Sequence, residues 1–175
     1  AVFEAAMDNA GIEERRMIRS RYSAMDDVCL NAADLILLAG GNVARGWEVI
    51  ESSGMRDVIV RRYLGGATVI GVSAGAVQLG VLGWRDDEEG TTPSRTFDTF
   101  RLVPFVIDVH DEDQEWRRLR RTVIARGEPT RGLGIPRRGG LVYHPDHTLE
   151  PLASVVTEVA LEGGEIVESL LAPER

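Results

Sequence analysis

The chain has 175 residues, and its 20 basic residues, every one an arginine, face 28 acidic ones for a net charge of −8 and a pI near 4.9. Without lysine, a Schiff base, a pyridoxal-phosphate linkage and a P-loop lysine are excluded, and the acidic balance argues against nucleic acid or an anionic membrane surface as the main partner. Cys29 is the only cysteine, so no disulfide closes within the chain, which fits a reducing cytoplasm. No apolar run approaches the roughly 20 residues that span a bilayer, and no signal-peptide pattern opens the sequence. Length and apolar content predict one globular domain over residues 1–175.

Apolar residues at 2, 3, 6 and 7 predict an opening helix that stops at Gly11. Residues 17–21 read as a short strand and 25–33 as a helix. The run Leu35-Ile-Leu-Leu-Ala39, closed by Gly40-Gly41, has the continuous apolarity of a parallel strand buried on both faces. Two helical stretches follow, 47–53 and 54–64. A second buried strand is expected at 67–73, and a helix of small and apolar residues at 74–82. Residues 84–100, with Asp86, Asp87, Glu88 and Glu89, read as a loop. Residues 102–109 form a third strand-like run leading to His110, and 114–125 an arginine-bearing helix. The remainder is short β-runs, the last two joined by Glu162-Gly163-Gly164, a hairpin signal. Strand alternating with helix, then a β-rich tail, predicts an α/β fold with a mainly parallel sheet flanked by helices.

The sharpest chemical feature is Gly71-Val72-Ser73-Ala74-Gly75-Ala76, a G-x-S-x-G at a strand-to-helix junction. In that setting a tight turn lifts a nucleophilic hydroxyl clear of the sheet, and small flanking residues let the two backbones pass closely. Free N–H groups at the helix start favour an oxyanion there. A serine nucleophile needs a base and the base an orienting carboxylate. Of His110, His144 and His147, only His110 follows a predicted strand, where it would share a crevice with Ser73. His144 and His147 flank Pro145-Asp146 and read as a solvated turn rather than a metal site, so no metal or cofactor is expected. Asp86, Asp87, Glu88 and Glu89 all qualify as the acid. Gly41 is placed to complete an oxyanion hole with the Ala74 N–H, although Asn42 by itself reads as a helix N-cap.

Together LLAGGNV, GVSAGA, LVPFVIDVH and GLGIPRRGGLVY resemble the family of cyanophycinase and α-aspartyl dipeptidase, over nearly the whole chain. The resemblance implies a class I glutamine-amidotransferase-like fold and a serine peptidase acting on small or aspartyl-type peptides. Ser73 would be the nucleophile, His110 the base and Glu88 the acid, with Asp87 and Glu89 as neighbours able to replace it. Gly41 and Ala74 would supply oxyanion N–H groups, Asn42 would lie beside the substrate, and a homodimer is implied. An amidase or esterase using the same triad, or a relative that only binds a small ligand, are the competing readings. Three features depart from the family. Asp111, Glu112 and Asp113 follow His110 where relatives have an aromatic residue and arginines; Arg137 stands where many relatives carry an acid; and the glycine-rich strand that opens the family is missing, so the chain reads as short by one central strand. The arginines at 117, 118, 120 and 121 are expected to form a solvated helix face.

Overall fold

A computed structural model describes residues 2–86 and 93–174. Helix α1 spans Val2–Asn9 and α2 Ala24–Ala32; the expected strand between them is irregular chain. A capping box starts α2: the Ser23 hydroxyl accepts the Asp26 N–H, and the Asp26 carboxylate accepts the Ser23 N–H. Strand β1, Leu35–Leu38, is followed by α3, Val43–Ser53, and α4, Met55–Leu64. Between the helices Gly54 turns the chain with a φ of 81°, a left-handed conformation that glycine adopts without a Cβ clash. Ile36 and Leu38 of β1 pack with Trp47, Ile50, Val58 and Ile59 in one core, where Phe100 meets Trp47 edge to face at 4.9 Å.

Strand β2, Thr68–Gly71, pairs parallel with β1, and α5, Ala74–Leu79, follows it directly. The expectation that this strand is buried on both faces does not hold. Ile70 is 42 % and Val72 48 % exposed, because among the described residues β2 has a strand partner along one edge only. The stretch expected to be a loop instead forms the antiparallel pair β3, Leu82–Asp86, and β4, Pro93–Asp98. Trp84 of β3 is buried in a second core with Val77, Val106, Leu119 and Val123.

Strand β5, Val106–Val109, is shorter than the apolar run that predicts it, and a 3₁₀ turn at Glu112–Gln114 precedes α6, Arg117–Arg126. Strand β6, Arg131–Ile135, pairs parallel with β5 and antiparallel with β9, Val156–Glu162. Strands β7, Gly140–Tyr143, and β8, Leu149–Leu152, pair with each other. The hairpin signal at 162–164 is realised: β9 turns through Gly163 and Gly164, both at positive φ, into β10, Glu165–Leu171. The architecture is α/β, with two parallel strand pairs at its heart and an antiparallel C-terminal portion.

Helix α5 sets the direction of β5. It leaves the end of β2 at Ser73 and finishes at Gly80, where the Val81 N–H donates to the Phe105 carbonyl at 2.9 Å. Gly80 is pressed so closely on this turn that a Cβ there would meet the Phe105 oxygen at 2.8 Å. Since β5 begins at the foot of α5, it runs back in the direction of β2. His110 therefore emerges at the same end of the fold as Ser73.

Candidate active site

Ser73 precedes α5 with φ 53° and ψ −114°, a combination that non-glycine residues rarely adopt and that carries backbone strain. Packing on both sides holds it there. A Cβ at Gly71 would lie 2.5 Å from the Ala76 Cα, and one at Gly75 would lie 2.2 Å from the Leu38 carbonyl oxygen. The predicted need for small residues at the elbow is thus a contact between α5 and the ends of β1 and β2. Gly40, beyond β1, faces the serine, and a Cβ there would meet the Ser73 Cβ at 3.2 Å. The result is a half-buried hydroxyl at the tip of a tight turn.

The glycine pair after β1 places a second backbone segment beside the elbow. Gly41 has a φ of +151° with open space around its Cα. Among the described residues, no acceptor takes the N–H of Gly41 or of Ala74. Asn42 caps α3, its side-chain carbonyl accepting the Arg45 N–H at 2.9 Å.

His110 is also at positive φ, 60°, and is exposed. Its N–H donates to the Ile135 carbonyl at 3.2 Å, fixing the residue against the end of β6. Both the nucleophile and the base read from the sequence are therefore strained residues at strand ends, a feature that clusters at functional sites. Glu88, Asp87 and Glu89, read as the acid, lie outside the described residues.

Two arrangements at this end of the fold have no counterpart in the sequence reading. Asp108, fully buried on β5, is gripped by both nitrogens of the Arg118 fork, with the Nε–Oδ2 contact at 3.2 Å. The Arg118 guanidinium lies over the Trp84 ring at 4.4 Å. Burial drives the Asp108 carboxyl above the usual carboxylate range, against the pull of Arg118. Arg118 thus ties α6 to β3 and to the strand that carries His110, so the expected solvated arginine face is corrected at this position. Of its neighbours, Arg120 pairs with Glu168 at 2.7 Å and Arg117 with Gln114 at 3.1 Å.

The second arrangement is the acidic turn after His110. The Arg137 N–H donates to Glu112 Oε1 at 2.9 Å, and the Arg137 guanidinium reaches Asp113 at 3.1 Å. Burial works against ionisation of Glu112, but the Arg137 N–H, its own N–H and the nearby charges of Arg137 and His110 hold its carboxyl below the usual range. His144 bonds Glu150 at 2.8 Å and His147 bonds Tyr143 at 2.5 Å, within the β7–β8 turn where the sequence places them. A depression of about 560 Å³ lies at the other end of β5 and β6, lined by Phe105, Arg131 and Tyr143, away from Ser73 and His110.

A strained serine in a tight turn between a parallel strand and a helix, with glycines packed on both sides, places this chain among α/β proteins with a strand–turn–helix elbow. The profile of Peptidase family S51 matches residues 3–149, and the chain belongs to that family. It is 28 % identical over 111 residues to Peptidase E of Streptomyces coelicolor, an alignment covering 63 % of this chain and 44 % of that protein. The chain thus matches less than half the length of this curated relative. Two solved structures share the fold. One is a peptidase from an acI-B1 Actinobacterium, with a TM-score of 0.70 and 18 % identity over 98 % of this chain and 72 % of that one. The other is a putative Peptidase E protein from Listeria monocytogenes, with a TM-score of 0.57 and 17 % identity over 97 % and 76 %.

Proposed function

We propose that this chain carries the site of a serine peptidase that cleaves small peptides through an acyl-enzyme. The observation that carries the reading is the strained Ser73 elbow, held by Gly71 and Gly75 and backed by Gly40. The His110 imidazole takes the Ser73 proton as the oxygen attacks an amide carbonyl, and the tetrahedral oxyanion accepts the N–H groups of Gly41 and Ala74. Collapse of that intermediate breaks the C–N bond, with His110 returning the proton to the leaving amine. Water then attacks the ester, activated by the same imidazole, and releases acid and free serine.

An exopeptidase or dipeptidase preference for aspartyl-type peptides, a homodimeric state and a cytoplasmic location complete the reading. The first rests on the family; light scattering decides the second and fractionation the third. Among the described residues, no helix is long and apolar enough to cross a membrane.

A fluorophosphonate probe followed by peptide mapping tests the nucleophile. Labelling of Ser73 in the folded protein, lost in Ser73→Ala, is the expected result; a folded protein left unlabelled contradicts it. A screen of dipeptides with N-terminal Asp, Glu and neutral residues then reads the substrate class. Turnover of esters or simple amides without any dipeptide would make it an amidase or esterase on the same site.

A further inference from the structure

We infer that Asp108 and Arg118 form a positioning pair for the reaction, fixing where His110 stands relative to Ser73. The inference rests on the reading of Ser73 as nucleophile and His110 as base. It starts from the two peptide groups that lead into His110. The Val109 N–H donates to Asp108 Oδ1 at 2.8 Å, and the His110 N–H donates to the Ile135 carbonyl at 3.2 Å. Both peptides are therefore held, the first by the Asp108 carboxylate and the second by the end of β6. His110 then leaves the strand at a φ of 60°, a strained angle that persists only where its surroundings over-determine it. Asp108 supplies part of that constraint from inside the fold and is itself fixed. Arg118 Nε meets its Oδ2 at 3.2 Å, and Arg118 Nη2 bonds its Oδ1.

The other side of Arg118 leads to the nucleophile. Its guanidinium lies over the Trp84 ring at 4.4 Å, and Trp84 shares a buried core with Val77 of α5 and Val106 of β5. Ser73 immediately precedes α5. One arginine is thus braced on the core behind the serine while it grips the strand that carries the histidine. Stability alone does not call for a charge here. Asp108 is fully buried, and replacing a buried ion pair by an apolar pair of similar volume is often neutral or stabilising. What the arginine fork adds over an apolar contact is direction, since paired N–H···O bonds define the plane of the carboxylate. With no surface to offer a substrate, Asp108 acts through the backbone that enters His110.

The test compares the parent with Arg118→Lys and with the double variant Asp108→Leu, Arg118→Met. Lysine keeps the charge but not the fork, while the double variant replaces the ion pair by an apolar one. Amide hydrogen exchange reads the backbone, and fluorophosphonate labelling of Ser73 reads the reaction. In the double variant the Val109 and His110 amides should exchange about 10-fold faster relative to the Leu133 amide of β6, which reports any general loss of stability. Labelling should slow about 10²-fold, as for misplacement near 1 Å. Arg118→Lys should show both effects at smaller size. A double variant that labels at the parental rate overturns the inference, because a purely structural pair is replaceable by apolar packing. Exchange at 109 and 110 that rises only in step with Leu133 overturns it too. Should the double variant fail to fold, Arg118→Lys must show both effects for the inference to stand. A folded parent that does not label sinks the peptidase reading instead, and the exchange rates still decide whether the pair fixes the His110 backbone.

Discussion

Gly40 stands directly against Ser73: a methyl carbon added to the glycine would meet the serine Cβ at 3.2 Å and its Oγ at 3.8 Å. The end of β1 therefore shapes the elbow that follows β2. Gly40→Ala should displace the serine by a few tenths of an ångström, costing little stability but slowing labelling of Ser73 by about 10-fold or more, since misplacement near 1 Å costs about 10²-fold. Gly75→Ala is a different case, because its new carbon would lie 2.2 Å from the Leu38 carbonyl oxygen and backbone would have to move. It should lose about 3 kcal/mol, at the upper end for overpacking. Denaturant midpoints read beside labelling rates separate the two effects. Equal losses of stability in both variants would contradict the distinction.

The strain at Ser73 gives a second expectation. Its φ of 53° with ψ −114° suits glycine far better than serine. Such strain costs about 1–3 kcal/mol, while extra freedom in the unfolded chain takes back about 0.5–1 kcal/mol on substitution by glycine. Ser73→Gly should therefore gain about 1 kcal/mol, or about 2–4 °C in melting temperature for a chain of this size. Ser73→Ala, with its Cβ retained, should not. Both lose labelling, so a rise confined to the glycine variant ties the strain to the nucleophile's position. A melting temperature that falls in Ser73→Gly would show that the turn is relaxed.

The capping box of α2 predicts acid sensitivity. The Asp26 carboxylate accepts the Ser23 hydroxyl at 2.6 Å and the Ser23 N–H at 2.9 Å, with Arg16 at 2.5 Å. The Ser23 hydroxyl first, then Arg16 and the Ser23 N–H, hold its carboxyl down to about 2. A folded pKa below the unfolded value, about 3.9, means stability that is fully present above that value and lost as pH falls towards 2. Asp26→Asn keeps an acceptor for the cap and removes the charge. The stability gap between parent and variant should be constant above about pH 5 and close progressively below about pH 4. A gap independent of pH down to 2 would show that the charge contributes nothing.

The parts of this fold that sequence reveals are those whose cause is local. The run at 35–39, the small residues around Ser73 and the Gly163-Gly164 turn each state their own conformation. His110 at the end of β5 follows from an apolar run and the residue after it. What stayed hidden depends on partners far along the chain. The β3–β4 pair flanks a stretch of the sequence rich in acidic residues, hydroxyls and glycine or proline, so composition reads it as a loop. The apolar residues of β2 say that it is a strand, but not that Ile70 and Val72 are left exposed. Arg118 looks like any arginine on a charged helix until β5 places Asp108 beside it. Glu112 stood out only as a departure from the family pattern, because its bond to the Arg137 N–H spans two strand ends.

The Asp108–Arg118 pair supplies the last expectation. Asp108 is fully buried while Arg118 keeps about a quarter of its side chain in solvent, so the cost of desolvation falls mainly on the acid. That cost is why burial raises the Asp108 carboxyl despite its partner. Removing the arginine leaves an ionised carboxylate without a countercharge, and breaking buried pairs this way costs about 3–5 kcal/mol. Arg118→Met should therefore lose that much at neutral pH. The folded pKa of Asp108 lies above the unfolded one, so the destabilisation is present at high pH and relieved as the group takes up a proton. The loss in Arg118→Met should accordingly shrink on acidification, as the Asp26 gap does, but because a penalty on Asp108 is relieved rather than because a stabilising charge is lost. Adding Asp108→Leu removes the stranded charge and should restore much of the stability at pH 7, since an apolar pair of similar volume is often neutral or better. Urea midpoints of the single and double variants at two pH values measure all three terms. A double variant no more stable than Arg118→Met would place the loss in the packing of Arg118 on Trp84 rather than in the charge of Asp108.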